Sequence, residues 1–320
     1  MKTLEFFATH PVFSLDEANK ALAPPGGRPG TVERLKYHLE TGRLKLVNRR
    51  VYAVVPPGGK AGEFRPDPFL VAAAFRPEGV FSHHSALELQ GVAHSVWNEC
   101  TLYAEGRRRP VLLDGSTVRF LGHPAPMRTK SGGHLGTLRI ERQSKLLLTT
   151  GPERTLVEGF RRPGLAGGLE ELVTSASGFA VLDLTLLDEI LQRYDIANLW
   201  AATGWFLERF RQSFHVPEEF LNHMEQHRPR SPHYLERNRR GGVLAVRWNL
   251  ILPKELMRQK ELYEPQSRIF TALLDPNRVP DCSPGEGCPL GRNGGRHNQA
   301  PFSREGSYSQ RRDREKEGGT

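Results

Sequence analysis

SLDEANKALAPPGGRPGTVERLKYHLETGRLKLVNRRVYAVV, residues 14–55, is the stretch that decides the reading of this chain. Ser14-Leu-Asp-Glu17 has capping-box spacing, in which the serine hydroxyl accepts from the amide three residues on and the glutamate reaches back. It predicts a helix running to Leu22. The run Ala23 to Gly30 is dense in Pro and Gly and is expected to break that helix, since Pro lacks a donor and Gly frees the backbone. Thr31 is then expected to cap a second helix, Val32 to Thr41, with Val32, Leu35 and Leu39 on one apolar stripe and Gly42 at its end. Arg43 to Val47 and Val51 to Val55 are β-prone runs joined by Asn48-Arg49-Arg50, a hairpin with a basic tip. Helix, turn, helix, hairpin is the order of a winged helix-turn-helix.

Charge agrees with that order. The chain carries a formal net charge of +9 over 320 residues, and residues 1–60 hold ten Lys/Arg against five Asp/Glu. More than half of the excess positive charge thus lies in less than a fifth of the chain, the footprint of a small module that meets a polyanion. Three cysteines, Cys100, Cys282 and Cys288, make no disulfide framework and suit a reducing compartment. With no signal peptide pattern and no apolar run of about eighteen residues, a cytoplasmic protein without membrane attachment is expected.

Periodicity divides the chain into a winged helix-turn-helix at 1–56, a Pro/Gly-rich linker at 57–66, a larger α+β domain at 67–256 and a tail at 257–320. In the larger domain, helical patterns at 67–75 and 83–90 precede strands near 101–104, 111–113, 117–121 and 136–140. Leu146 to Thr150 runs into a Pro-initiated helix at Pro152, and helices follow to His227. Val243 to Leu252 alternates and is expected to return to the sheet as a late strand. Strands grouped first and helices later make the fold class α+β. Beyond Asp275 the chain is nearly free of aliphatic residues and rich in Gly, Pro, Arg and Glu, a composition expected to stay disordered.

On the second helix, a 100° wheel turns Glu33, Arg34, Tyr37, Glu40 and Thr41 away from the apolar stripe, with Lys36 and His38 on its flanks. Base edges are read by donors near the N-terminal half of such a helix, which nominates Arg28, Thr31, Arg34 and Tyr37, Arg34 first among them. Lys36 and Arg28 suit phosphate, while Asn48, Arg49 and Arg50 reach the neighbouring backbone or minor groove. The competing reading of each residue is a solvated helix face or an ordinary basic turn.

Other chemistries find less support. His83 and His84 are adjacent on a helix and diverge by about 100°, so a capping or surface role is expected in place of a metal site. Cys282, Cys288 and His297 miss the two-to-four-residue knuckle of a zinc site. Glu153, Arg154 and Glu158 stand at helical spacing and are expected to be a surface ion-pair group. Neither a phosphate loop nor a hydrolase or kinase signature is present, and no metal, cofactor or catalytic residue is expected.

Taken in order, Phe13-Ser14-x-x-Glu17-Ala18, Gly42-Arg43-Leu44 through Arg50-Val51-Tyr52, Ser82-His83-His84-Ser85-Ala86-Leu87-Glu88-Leu89-Gln90-Gly91 and Pro152-Glu-Arg-Thr-Leu-Val-Glu158 resemble the AbiEi-type antitoxins of type IV toxin-antitoxin systems. The resemblance covers residues 1–256 and implies a winged-helix domain that binds the operon's own promoter. It also implies a larger domain that helps to neutralise a nucleotidyltransferase toxin encoded nearby, and no catalysis by this chain. A homodimer is a further expectation. Two rival readings are a solitary winged-helix repressor and a DNA-targeted enzyme, the latter requiring clustered carboxylates or a metal site in the larger domain.

Overall fold

The computed structural model describes residues 2–106, 109–128, 132–236 and 241–258. These fall in the first of two units into which the chain divides, Met1–Glu264 and Pro265–Thr320. The expected tail, with Cys282, Cys288 and His297, lies outside the described residues apart from its first two positions.

Chain order at the N-terminus is α1 (Thr3–Thr9), β1 (Val12–Ser14), α2 (Leu15–Leu22), α3 (Gly27–Glu40), β2 (Leu44–Asn48) and β3 (Val51–Val54). The capping box forms as its spacing predicts: the Glu17 amide donates to Ser14 Oγ at 3.1 Å and the Ser14 amide to Glu17 Oε2 at 2.8 Å. Helix α2 stops at Ala23, whose φ is 36°. The next helix begins earlier than expected, at Gly27, and takes Pro29 into its first turn, where a missing N–H leaves no helical bond unmade. Strands β1, β3 and β2 form an antiparallel sheet in that order. Phe6, Phe7, Phe13, Leu15, Leu22, Leu35, Leu44 and Tyr52 fill the space between this sheet and the three helices. Helix α1 seats Phe6 against Phe13 with ring centroids 4.8 Å apart.

Next comes α4 (Pro68–Phe75), capped by Asp67 Oδ1, which accepts the Phe69 amide at 2.8 Å. Its residues Phe69 to Ala74 are all buried. A helix with no solvated face must be covered all round, and α4 is covered by two sheets. Val12, Val51 and Ala53 of the small sheet share a core with Phe69 to Ala74 and with Phe81, Leu102, Val118 and Leu147 of the large one. The Pro/Gly-rich connection is also held, since Lys45 donates to the Phe64 carbonyl at 2.6 Å and Arg65 pairs with Asp114.

The large sheet is mixed and six-stranded. It comprises β4 (Val80–Phe81), β5 (Glu99–Tyr103), β6 (Val111–Leu113), β7 (Ser116–Leu121), β8 (Thr137–Arg142) and β9 (Lys145–Thr150), in the order β6-β7-β5-β4-β9-β8. Helix α5 (His84–Leu89) lies between β4 and β5 in sequence. The two-residue strand β4 is central, antiparallel to β5 and parallel to β9. A helical half follows: α6 (Pro152–Arg161), α7 (Leu169–Ala176), α8 (Leu184–Tyr194), α9 (Ala197–Arg209) and α10 (Glu218–Gln226). The protein is α+β.

The late strand departs from expectation. Residues 243–252 do not rejoin the large sheet but split into β11 (Val243–Ala245) and β12 (Leu250–Leu252), and β12 pairs with both β11 and β10 (His233–Tyr234) in a separate three-stranded sheet. A 3-10 turn at Val246–Trp248 and a left-handed Asn249 (φ 49°) make the break, and Trp248 between the strands is buried fully in the helical core. Helix α11 (Lys254–Arg258) closes the described chain.

Candidate nucleic-acid interface

Helix α3 buries Thr31, Leu35 and His38, leaves Leu39 half-buried and exposes 41% of Val32. Its inward face is thus rotated from the expected stripe. Two candidate assignments change as a result. Thr31 is neither a cap nor a surface donor: it is fully buried, and its hydroxyl donates to Asn19 Oδ1 at 2.9 Å, joining α2 to α3. His38, expected on a flank, packs edge-on against Phe7 at 4.9 Å. Burial, then the nearby Arg43 and Arg34 cations, pull its pKa below the ordinary imidazole value.

The remaining candidates are accessible. Arg28 Nη2 lies 3.1 Å from Asp16 Oδ1, with both side chains largely in solvent. Arg34 is half-buried, Lys36 is exposed and Tyr37 is 58% exposed. At the hairpin tip Asn48, Arg49 and Arg50 are all exposed. Asn48 Oδ1 accepts the Arg49 amide at 2.6 Å, and Arg50, with φ of 69°, offers its carbonyl to the Leu15 amide at 2.8 Å. The tip is thereby anchored to the start of α2 by backbone alone, with its guanidinium groups exposed.

Arg34, Lys36, Arg43, Arg49 and Arg50 make no ion pair or hydrogen bond through their side chains among the described residues. Many cations of the rest of the chain are engaged: Arg65 with Asp114, Arg119 with Glu99, Arg142 with Asp67, Lys145 with Glu17, and Arg247 with Glu208, Glu218 and Glu225. Arg43, at the foot of β2, was not among the sequence candidates because nothing in its local pattern distinguishes it from any strand-flanking cation. On α3 the unpaired Arg34 and Lys36 are matched in number by Glu33 and Glu40, so the uncompensated positive charge lies on the hairpin that follows, on Arg43, Arg49 and Arg50, where it can attract an anionic polymer.

A second polar group lies inside the larger lobe, and here the structure corrects the surface assignments. His83 and His84 are each 1% exposed, and Arg154 and Glu158 are 0% and 1%. Arg154 Nε donates to Glu158 Oε1 at 2.8 Å, and Arg154 Nη1 donates to the carbonyls of Gly133 and Leu135. The hydroxyls of Tyr103 and Tyr194 both donate to Glu158, at 2.8 and 2.7 Å. Burial and then the Glu158 charge push both phenols well above their usual range. His83 stands beside Tyr103 with φ of 54°, its Nδ1 3.0 Å from Ser82 Oγ, and desolvation holds it at a pKa of about 4. Helical i, i+4 spacing does not distinguish a buried pair from a surface one, and only the sheet and the helices packed over α6 decide it. Among the described residues no three His, Cys, Asp or Glu side chains are placed to hold a metal ion.

No protein-family model and no curated protein matches the chain. Among solved structures, the RV2827C protein from Mycobacterium tuberculosis is similar, with a TM-score of 0.53 at 17% identity over 80% of this chain and 92% of that one. At that identity the likeness shows a shared fold. Among the described residues no helix is long and apolar enough to cross a membrane.

Proposed function

We propose that this protein is a DNA-binding transcriptional regulator, with α2 and α3 as the helix-turn-helix and the β2–β3 hairpin as its wing. One observation carries the reading: Arg34, Lys36, Arg43, Arg49 and Arg50 have no side-chain ion pair or hydrogen bond among the described residues, and they share one helix and one hairpin. The order α1-β1-α2-α3-β2-β3 supports it, since a helix entering a major groove with a β-ribbon alongside is a recurrent docking geometry. On the resemblance to AbiEi-type antitoxins, the operator is the operon's own promoter and the larger lobe meets a nucleotidyltransferase toxin. This reading places the protein in the cytoplasm and gives the chain itself no reaction.

Binding is tested on the full chain, because Val12, Val51 and Ala53 pack against α4 and a fragment ending before it would expose them. Titration against duplex DNA at two salt concentrations is expected to show affinity falling steeply with salt. Absence of salt-sensitive binding removes the proposal. For the antitoxin part, co-expression with the toxin encoded next door is expected to restore growth, and failure to do so leaves a solitary repressor.

A further inference from the structure

The outward pole of α3 is not simply basic. Glu33 is exposed, as are Lys36, Tyr37 and Glu40. At 100° per residue Glu33 points about 160° from both Thr31 and Leu35, on the side of the helix away from the core. Lys36 lies one turn on, yet Glu33 and Lys36 form no ion pair, and neither side chain has a hydrogen-bond partner among the described residues.

A carboxylate at this position is anomalous on a surface meant for phosphates. If α3 enters a major groove, the groove walls repel Glu33, and only donors on the base edges can compensate it. Two such donors exist there, the exocyclic amines of cytosine and adenine. Adenine carries its N7 acceptor beside the amine, and that lone pair opposes a carboxylate. Cytosine has no acceptor on its major-groove edge. The O6 and N7 of its paired guanine are acceptors suited to an ammonium, and Lys36 is the neighbouring cation at i+3. Glu40 ends the helix, away from the N-terminal half that contacts bases in this docking geometry.

We infer that Glu33 and Lys36 together read one C·G base pair of the operator, Glu33 accepting from cytosine N4 and Lys36 donating to guanine. The inference rests on the DNA-binding reading above. It makes Glu33 a specificity determinant whose value lies as much in rejecting other bases as in binding cytosine.

The test is selection of binding sites by the full chain from a randomised duplex library, followed by affinity titration of the selected site and its single-base variants. The expected result is a fixed C·G pair at one position, with about a tenfold loss on changing it. Glu33→Ala abolishes that preference and leaves the rest of the site unchanged, whereas Glu33→Gln, which also offers a donor, shifts it toward adenine. Glu33 is exposed and has no ion pair or hydrogen bond through its side chain among the described residues, so circular dichroism of the variants should match the parent. If Glu33→Ala tightens binding to every sequence alike, the carboxylate acts only as a repulsive charge and the inference is overturned. Selection of another base at the Glu33-dependent position overturns it too. A chain that binds no duplex removes the underlying DNA-binding reading instead, so the two failures are distinct.

Discussion

Lys145 Nζ lies 3.0 Å from Glu17 Oε1, while Glu17 Oε2 accepts the Ser14 amide at 2.8 Å. One carboxylate therefore closes the capping box of α2 and ties that helix to the β8–β9 hairpin of the larger lobe. Together with the core shared across α4, this makes the position of α3 depend on residues far along the chain.

Glu17→Ala removes both bonds and is expected to destabilise the protein by about 1–2 kcal/mol, the size of a missing cap plus a partly screened ion pair. Lys145→Ala breaks only the tie, with both side chains partly in solvent, and should cost less than about 1 kcal/mol. Denaturant unfolding of the two variants checks the difference. Equal losses would show that the cap contributes nothing.

Gly204 on α9 faces Trp248: a Cβ added there would meet the indole at 2.2 Å. The ring is fully buried, and its Nε1 donates to Glu208 Oε2 at 2.7 Å, so it has little freedom to retreat. Gly204→Ala is expected to cost about 1–3 kcal/mol through overpacking, although Ala is the better helix former. Melting temperature is the readout, and a stabilised variant would show that Trp248 is free to move.

Acid stability turns on His83. Desolvation lowers its folded-state pKa from 6.5 to about 4, so below pH 6.5 the unfolded chain binds the proton more readily than the folded one. Stability is then full above pH 6.5 and is lost progressively as pH falls from there through 4, by about 3 kcal/mol in all. His38, His84 and His123 shift in the same direction. Comparing the chain with His83→Gln isolates the one residue: the gap between the unfolding free energies at pH 7 and pH 4.5 should narrow in the variant, with the remainder left to the other histidines. An unchanged pH slope would place the dependence on the other histidines.

Local chemistry made much of this fold legible. The Ser14–Glu17 box, Gly42 after α3 with φ of 70°, and the Asp114-Gly115 turn between β6 and β7 all stand where short-range rules put them. What escaped the sequence depends on distant partners. Thr31 reads as a cap until Asn19 is known to face it. Residues 68–75 carry no periodicity by which to say that α4 is covered by two sheets. Arg154 and Glu158 have the spacing of a surface pair, and the groups that meet Glu158 in the interior, Tyr103 and Tyr194, lie 55 and 36 residues from it in sequence. Of the candidate interface, Lys36, Tyr37 and the hairpin tip are readable as exposed polar positions, whereas the lack of ion pairs at Arg43 and Glu33 among the described residues depends on where distant acids and bases fold.

The β2–β3 hairpin offers the sharpest test of the proposed DNA interface. Arg49 and Arg50 are exposed at a tip held by backbone bonds, so their side chains can be exchanged without loosening the hairpin. Arg50 has φ of 69°, a conformation that Asn tolerates better than Ala, so the suitable double variant is Arg49→Ala with Arg50→Asn. Cations that neutralise phosphates release counterions but carry no sequence information. The double variant should therefore bind all duplexes more weakly by a similar factor and keep its preferred site. The slope of log affinity against log salt should become shallower by about 1.8, near 0.9 for each phosphate no longer neutralised. Titrations at several salt concentrations on a selected and an unrelated duplex measure both quantities. A slope left unchanged would remove the hairpin from the DNA interface, and a change confined to the selected duplex would make it a reader of bases.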